Sequence, residues 1–138
     1  MTVKNWGPVR NCMREDVTEI EGRLDVMSAL KIMRKTGDTS LIVKRRDEND
    51  EYGMLLFSDI AKKVIATNRA PERVSVYEIM AKPVLTVRPD MEIRYCARLF
   101  ENFGIDQAPV VEDGKIIGAV NYYRLVMYGL LPDLDGED

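Results

Sequence analysis

VRNCMREDVTEIEGRLDVMSALKIMRKTGDTSLIV, from Val9 to Val43, and VYEIMAKPVLTVRPDMEIRYCARLFENFGIDQAPV, from Val76 to Val110, are one pattern written twice at a constant offset of 67 residues. Identities are few: Val9/Val76, Met13/Met80, Val17/Val84, Gly37/Gly104 and Val43/Val110. The apolar positions coincide more fully, with Ile20/Val87, Leu24/Met91, Val26/Ile93, Ala29/Cys96, Ile32/Leu99 and Met33/Phe100 all matched. A repeat that keeps both period and punctuation is one supersecondary unit used twice. After Val43 the first copy carries two extra residues, so Gly53 falls over Gly118 at an offset of 65, and YGMLLFSDIAKKV over IGAVNYYRLVMYG.

Each copy translates into the same elements. A short helical turn opens it, with Pro8 placed for a first helical position and Ser75 for an N-cap. Extended pieces follow at Val17 to Ile20 and at Val84 to Val87. Val26, Ala29, Leu30 and Met33 then fall at i, i+3, i+4 and i+7, an amphipathic helix stopped by Gly37. Ile93, Cys96, Ala97 and Phe100 repeat the stripe, with Asp90 as N-cap and Gly104 as the stop. Two apolar strands come next in each copy, joined by the long loop KRRDENDEY in the first and by the short Glu112-Asp113-Gly114 hairpin in the second. Closing helices start near Ser58 and Tyr122. The predicted fold class is α/β, a β-α-β-β-α unit doubled. Residues 1–8 form an N-terminal segment, 9–70 the first repeat, 71–131 the second and 132–138 an acidic tail.

Composition narrows the chemistry. The 138 residues are 46% hydrophobic and 31% charged, enough to bury a core. Twenty Lys and Arg against twenty-three Asp and Glu give a net charge of −3 and no global basic field, which disfavours nucleic acid and anionic lipid as partners. With no histidine, Ser-His-Asp triads, imidazole proton shuttles and His-containing zinc sites are excluded. Cys12 and Cys96 stand in no C-x-x-C or nucleophile motif and read as packed, reduced thiols, so the chain is expected in the cytoplasm, with no membrane span. The loop from Asp47 to Gly53 imitates a calcium loop, but its glycine falls one place late and Ser58 occupies the twelfth position, so no metal is expected. Lys44, Arg45 and Arg46 beside that acidic loop read as self-neutralising surface.

The doubled unit, with V-x-x-x-M before each first strand, the KPVLTVRPD run, Gly104-Ile105 followed by Pro109-Val110, and GMLLFSDI, resembles the cystathionine-beta-synthase (CBS) domain pair from about Val9 to Gly129. That resemblance implies two repeats packed as a pseudo-twofold pair, a homodimer, and clefts between the repeats where an adenine nucleotide (AMP, ADP or ATP) binds. It implies a non-enzymatic, ligand-sensing regulatory module with no cofactor, signalling by conformational shift to a partner protein. The alternative is a ligand-free homodimeric interaction scaffold with degenerate nucleotide sites.

The family's ribose-reading pattern is G-h-h-[ST]-x-x-D, whose carboxylate can accept both vicinal ribose hydroxyls. Copy one supplies Gly53 to Asp59 with Leu56 where the hydroxyl residue belongs; copy two ends on Arg124, which cannot accept a hydroxyl proton. Asp59 is either the ribose acceptor or a first-turn acid stabilised by the helix dipole. Met54 and Leu56 either line the adenine face or fill the core. Ser58, Val84, Leu85, Gln107 and Tyr123 complete the implied site, Val84 and Leu85 through their backbone. The cationic phosphate clamp expected before the Pro-Val pair is replaced by Asp106 and Gln107 in copy two and by Thr39 and Ser40 in copy one. Arg124, Lys82 or a residue of a second subunit are the cations left to substitute for it.

Overall fold

Apolar periods and glycine stops place the elements. In the computed structural model, which describes residues 6–82 and 84–131, a 3-10 turn (Val9–Asn11) precedes β1 (Glu19–Ile20), α1 (Val26–Thr36), β2 (Ser40–Val43), β3 (Gly53–Leu56) and α2 (Phe57–Ile60). α2 runs on as a π-helical turn over Ala61–Ile65. A second 3-10 turn (Pro71–Arg73) leads to α3 (Val76–Ile79), α4 (Ile93–Phe103), β4 (Gln107–Glu112), β5 (Lys115–Asn121) and α5 (Tyr122–Leu130). The acidic tail from Pro132, and the first five residues of the N-terminal segment, lie outside the described residues.

α1 buries Val26, Ala29 and Met33, and α4 buries Ile93, Cys96 and Phe100, the stripes read from the sequence. Both end on a left-handed glycine, Gly37 at φ 79° and Gly104 at φ 64°, where a Cβ would be strained. α1 is capped by Asp25, whose carboxylate accepts from the Ser28 N–H at 3.0 Å and its hydroxyl at 2.6 Å. Before α4 the matching residue is Glu92, which makes no side-chain cap; the expected Asp90 lies two residues early and pairs with Arg88 at 3.2 Å. Pro8 likewise precedes its turn in extended conformation instead of opening it. Ser75 does stand at the N-cap of α3, with the Glu78 carboxylate accepting its N–H at 2.8 Å.

The chain forms two units that do not follow the order of the repeats: a first unit of residues 17–84, and a second made of the residues up to Asp16 together with those from Leu85 onward. In the first unit β1 pairs parallel with β2, and β2 antiparallel with β3. In the second, β4 and β5 form an antiparallel pair joined through Asp113 and Gly114, both at positive φ. Each repeat's opening turn is built into the unit of the other repeat, by matching hydrogen bonds. Val9 N–H donates to the Met91 carbonyl at 2.7 Å as Val76 N–H does to Leu24 at 2.8 Å. Ile93 N–H donates to Gly7 at 2.9 Å as Val26 N–H does to Val74 at 2.8 Å. The turns bring Val9 and Val76, both fully buried, into the two cores.

The V-x-x-x-M and glycine signals have a common cause. Ala81 bridges Met54, and Arg14 bridges Ala119, so the segment after each opening turn runs against the strand that starts at or passes through the glycine. A Cβ on Gly53 would stand 2.8 Å from the Met80 sulfur and 3.1 Å from the Ala81 carbonyl oxygen; one on Gly118 would stand 3.0 Å from the Met13 sulfur and 2.5 Å from the Arg14 carbonyl oxygen. Only glycine admits that approach.

The units differ at one expected strand. Ile42 N–H donates to the Thr18 carbonyl at 3.0 Å and Lys44 N–H to Ile20 at 2.8 Å, holding β1 in its sheet. In the second unit Val111 N–H donates to Val87 at 2.9 Å, but the counterpart of Ile42 is Pro109, which has no N–H. The extended piece expected over Val84 to Val87 is therefore a single bridge, Val87 to Val110, instead of a strand. Cys12 and Cys96 are buried free thiols in this unit's core. Burial raises both, Cys96 to about 11. Among the described residues, no helix is long and apolar enough to cross a membrane and no side-chain cluster is suited to a metal.

Candidate functional site

Asp59 sits in the first unit at the corner where β3 passes into α2. Its Oδ2 accepts the Leu56 N–H at 3.1 Å, satisfying one of the orphan donors of the helix start. Its Oδ1 lies 3.7 Å from Lys63 Nζ, one turn on, and the Asp59 side chain is 14% exposed. Lys63 in turn donates to the Ile79 carbonyl at 3.0 Å, tying α2 to the end of α3. The helix-start role open to Asp59 in the sequence is thus occupied, while an ionised carboxylate has about four acceptor sites, so two contacts leave capacity for a hydroxyl donor. Lys63 was not among the residues singled out from the sequence; the Asp-x-x-x-Lys spacing on a helix is the signal that finds it.

The same corner in the second unit is built with a cation. Arg124 Nε donates to the Cys12 carbonyl at 2.6 Å and Nη2 to Met13 at 3.3 Å, and its guanidinium lies 4.5 Å from the Tyr128 ring centroid. Cys12 is the counterpart of Ile79 and Tyr128 that of Lys63, so both units clamp the same carbonyl of the exchanged turn. Asn121 caps α5, accepting the Arg124 N–H at 2.8 Å, in place of a carboxylate.

Around Asp59, Met54 is buried in β3 and bridges Ala81, Leu56 is half-buried, and Ser58 is exposed. Val84 joins this unit by a 3.4 Å bond from its N–H to the Tyr52 carbonyl. Leu85, Gln107 and Tyr123 belong to the second unit. There Gln107 pairs with Asp106 at 3.4 Å, and Tyr123, the counterpart of Ser58, is 64% exposed. Of the cations left to replace the clamp, Arg124 is engaged by carbonyls and Lys82 by Asp50. A polar pair that the sequence reading passed over lies at the Asp59 end of the sheet: Thr18 donates to buried Asp38 at 2.7 Å. Their counterparts are Leu85 and Ile105, so no polar pair repeats to mark them. Beside Asp38, an open cavity of about 640 Å³ runs between the α1 residues Met27, Leu30 and Arg34 and the Phe57 ring.

Residues 76–130 match the family model described as CBS domain. A hexameric CBS-CP12 protein from bloom-forming cyanobacteria is similar at 32% identity and a TM-score of 0.84, over 95% of this chain and 75% of that one. A CBS domain pair solved in complex with 5′-methylthioadenosine and S-adenosyl-L-methionine is 25% identical, with a TM-score of 0.74 over 86% of this chain and 92% of that one. A homoserine O-acetyltransferase of Methanosalsum zhilinae is 33% identical over 81% of this chain and 22% of its own length. The chain spans 45%, 22% and 64% of the first three curated relatives it matches.

Proposed function

The chain belongs to the CBS domain family as a domain pair, and from that premise we propose that it senses an adenine nucleotide at the Asp59 corner and passes the change to a partner protein. CBS pairs are generally regulatory modules, not catalytic ones. The carrying observation is the Asp59 carboxylate, held by Leu56 N–H and Lys63 yet with acceptor sites to spare for vicinal ribose hydroxyls. A CBS pair with adenosine-containing ligands supports the ligand class. Output follows by population shift: a ligand that prefers one arrangement of the chain moves the equilibrium by its differential affinity. The module acts as a homodimer through its exposed helix surface, where Tyr122, Val126 and Leu130 are 40%, 50% and 55% exposed.

Adenosine and AMP are the decisive ligands, because the first unit carries Thr39 and Ser40 where a cationic clamp for a longer phosphate chain would stand. Calorimetry should give saturable adenosine binding that falls at least about tenfold in Asp59→Ala, the loss of charge-assisted bonds worth about 1.5 to 3 kcal/mol each. Adenosine binding that persists in Asp59→Ala overturns the site. The second reading, a ligand-free scaffold, draws on Leu56 in the hydroxyl position and on Asp59 already serving the helix start. It is the reading left if adenosine, AMP, ADP, ATP and S-adenosylmethionine all fail to raise the melting temperature.

A further inference from the structure

At the other end of the first unit's sheet, where Val43 pairs with Gly53, a cavity of about 360 Å³ opens between the β1–α1 turn and the β2–β3 loop. Four cations line it, Arg23, Lys44, Arg45 and Arg46, with one carboxylate, Glu21, which Arg23 pairs at 3.0 Å, and with Tyr77 of α3 as its aromatic wall. The cations are arranged on aromatic rings: Arg46 lies 4.7 Å from the Tyr77 centroid, Lys82 5.3 Å from the same ring, and Arg45 5.0 Å from Tyr52. Asp50 organises the group, accepting the Arg46 N–H at 2.8 Å and its Nε at 3.2 Å while pairing with Lys82. Among the described residues neither Lys44 nor Arg45 has a carboxylate within ion-pair distance, and the loop acids Asp47, Glu48 and Glu51 do not line the cavity. The Tyr77 hydroxyl is buried with no hydrogen-bond partner.

The fold does not demand this arrangement. In the second unit the counterparts of Arg23, Lys44, Arg45 and Tyr77 are Asp90, Val111, Glu112 and Arg10, and Arg10 is paired with Glu112 at 3.0 Å. The basic lining therefore belongs to one unit only, in a chain whose net charge is −3. Guanidinium forks match phosphoryl oxygens two at a time, and an ammonium adds a point charge. From the cation-lined cavity, whose basic side chains the second unit does not repeat, we infer that this hairpin end binds the phosphoryl group of a small molecule, at a site separate from the Asp59 corner.

Inorganic pyrophosphate is the probe, titrated by calorimetry at fixed ionic strength. One saturable site per chain is expected, weakened at least tenfold in Lys44→Glu/Arg45→Glu. Lys44 is exposed and Arg45 half-buried outside the core, so the melting temperature of the double variant should hold. Adenosine, which carries no phosphoryl group, should not displace pyrophosphate, so this site can fail while the Asp59 site stands, and the reverse. Absence of saturation, unchanged affinity in the double variant, or displacement by adenosine overturns the inference.

Discussion

The two units meet one structural need with opposite chemistry. Each must hold the carbonyl that ends its exchanged turn, Ile79 in the first and Cys12 in the second. The first unit reaches it with Lys63 and spends the preceding turn on a carboxylate, Asp59; the second reaches it with Arg124 from the Asp59 position itself and lays that cation on Tyr128. Moving the cation back one helical turn keeps the clamp and removes the acceptor. A repeat can thus preserve its packing while one copy loses the group that could read a ribose, because the clamp asks only for a donor.

The largest test of this likeness addresses the close approach that both units share. Gly118→Ala should cost about 3 kcal/mol and Gly53→Ala about 1 to 2, within the range for overpacking. The added methyl meets a backbone oxygen at 2.5 Å in the first case and the movable end of Met80 at 2.8 Å in the second. Urea denaturation measures both, and equal costs would break the argument. Next, Arg124→Met should lose about 2 kcal/mol and Lys63→Met about 1, since Arg124 serves two carbonyls and Lys63 one. The exchange Asp59→Arg with Lys63→Tyr writes the second unit's solution into the first. Its stability should change by less than about 1 kcal/mol, the scale of a first-turn charge, while adenosine binding is lost in calorimetry.

The smallest effect is a tilt with pH. Three carboxylates held below their usual range lie in the first unit: Asp25 chiefly by the Ser28 hydroxyl, Asp50 by Lys82 and Glu78 by Arg69. A depressed carboxylate stabilises the fold fully above its unfolded value of about 4 and loses that contribution as pH falls through the folded value. The raised thiols lie in the second unit and have the opposite sense. Their contribution is complete below an ordinary thiol value of about 8.5 and is lost as pH rises toward the value of about 11 at Cys96. Hydrogen exchange should therefore show β2 amides loosening first in acid and β4 amides first in alkali.

Much of this was legible in the chain. The offset of 67 between Val9 and Val76 reappears in the backbone hydrogen bonds, and the stops at Gly37 and Gly104 end their helices. Val84 to Val87 misled because the pattern of apolar residues does not register that Pro109, on the facing strand, has no N–H to give. Arg124 was readable as a residue that cannot accept a ribose hydroxyl, but not as a clamp, and the i,i+4 spacing that pairs Lys63 with Asp59 gives no hint of the Ile79 carbonyl that Lys63 reaches.

By itself the sequence determined the order of the elements apart from the strand expected over Val84 to Val87, where α1 and α4 stop, the doubling of the unit and the absence of a carboxylate at Arg124, since these depend on neighbours within a turn or on a count along the chain. Tertiary structure alone decided that the opening turns are exchanged between units, that Asp59 shares its carboxylate with Leu56 and Lys63, and that four cations converge beside Tyr77. The physical reason is distance along the chain. Arg124 and the carbonyl of Cys12 are separated by 112 residues, and a hydrogen bond closed across that interval leaves no local pattern to read.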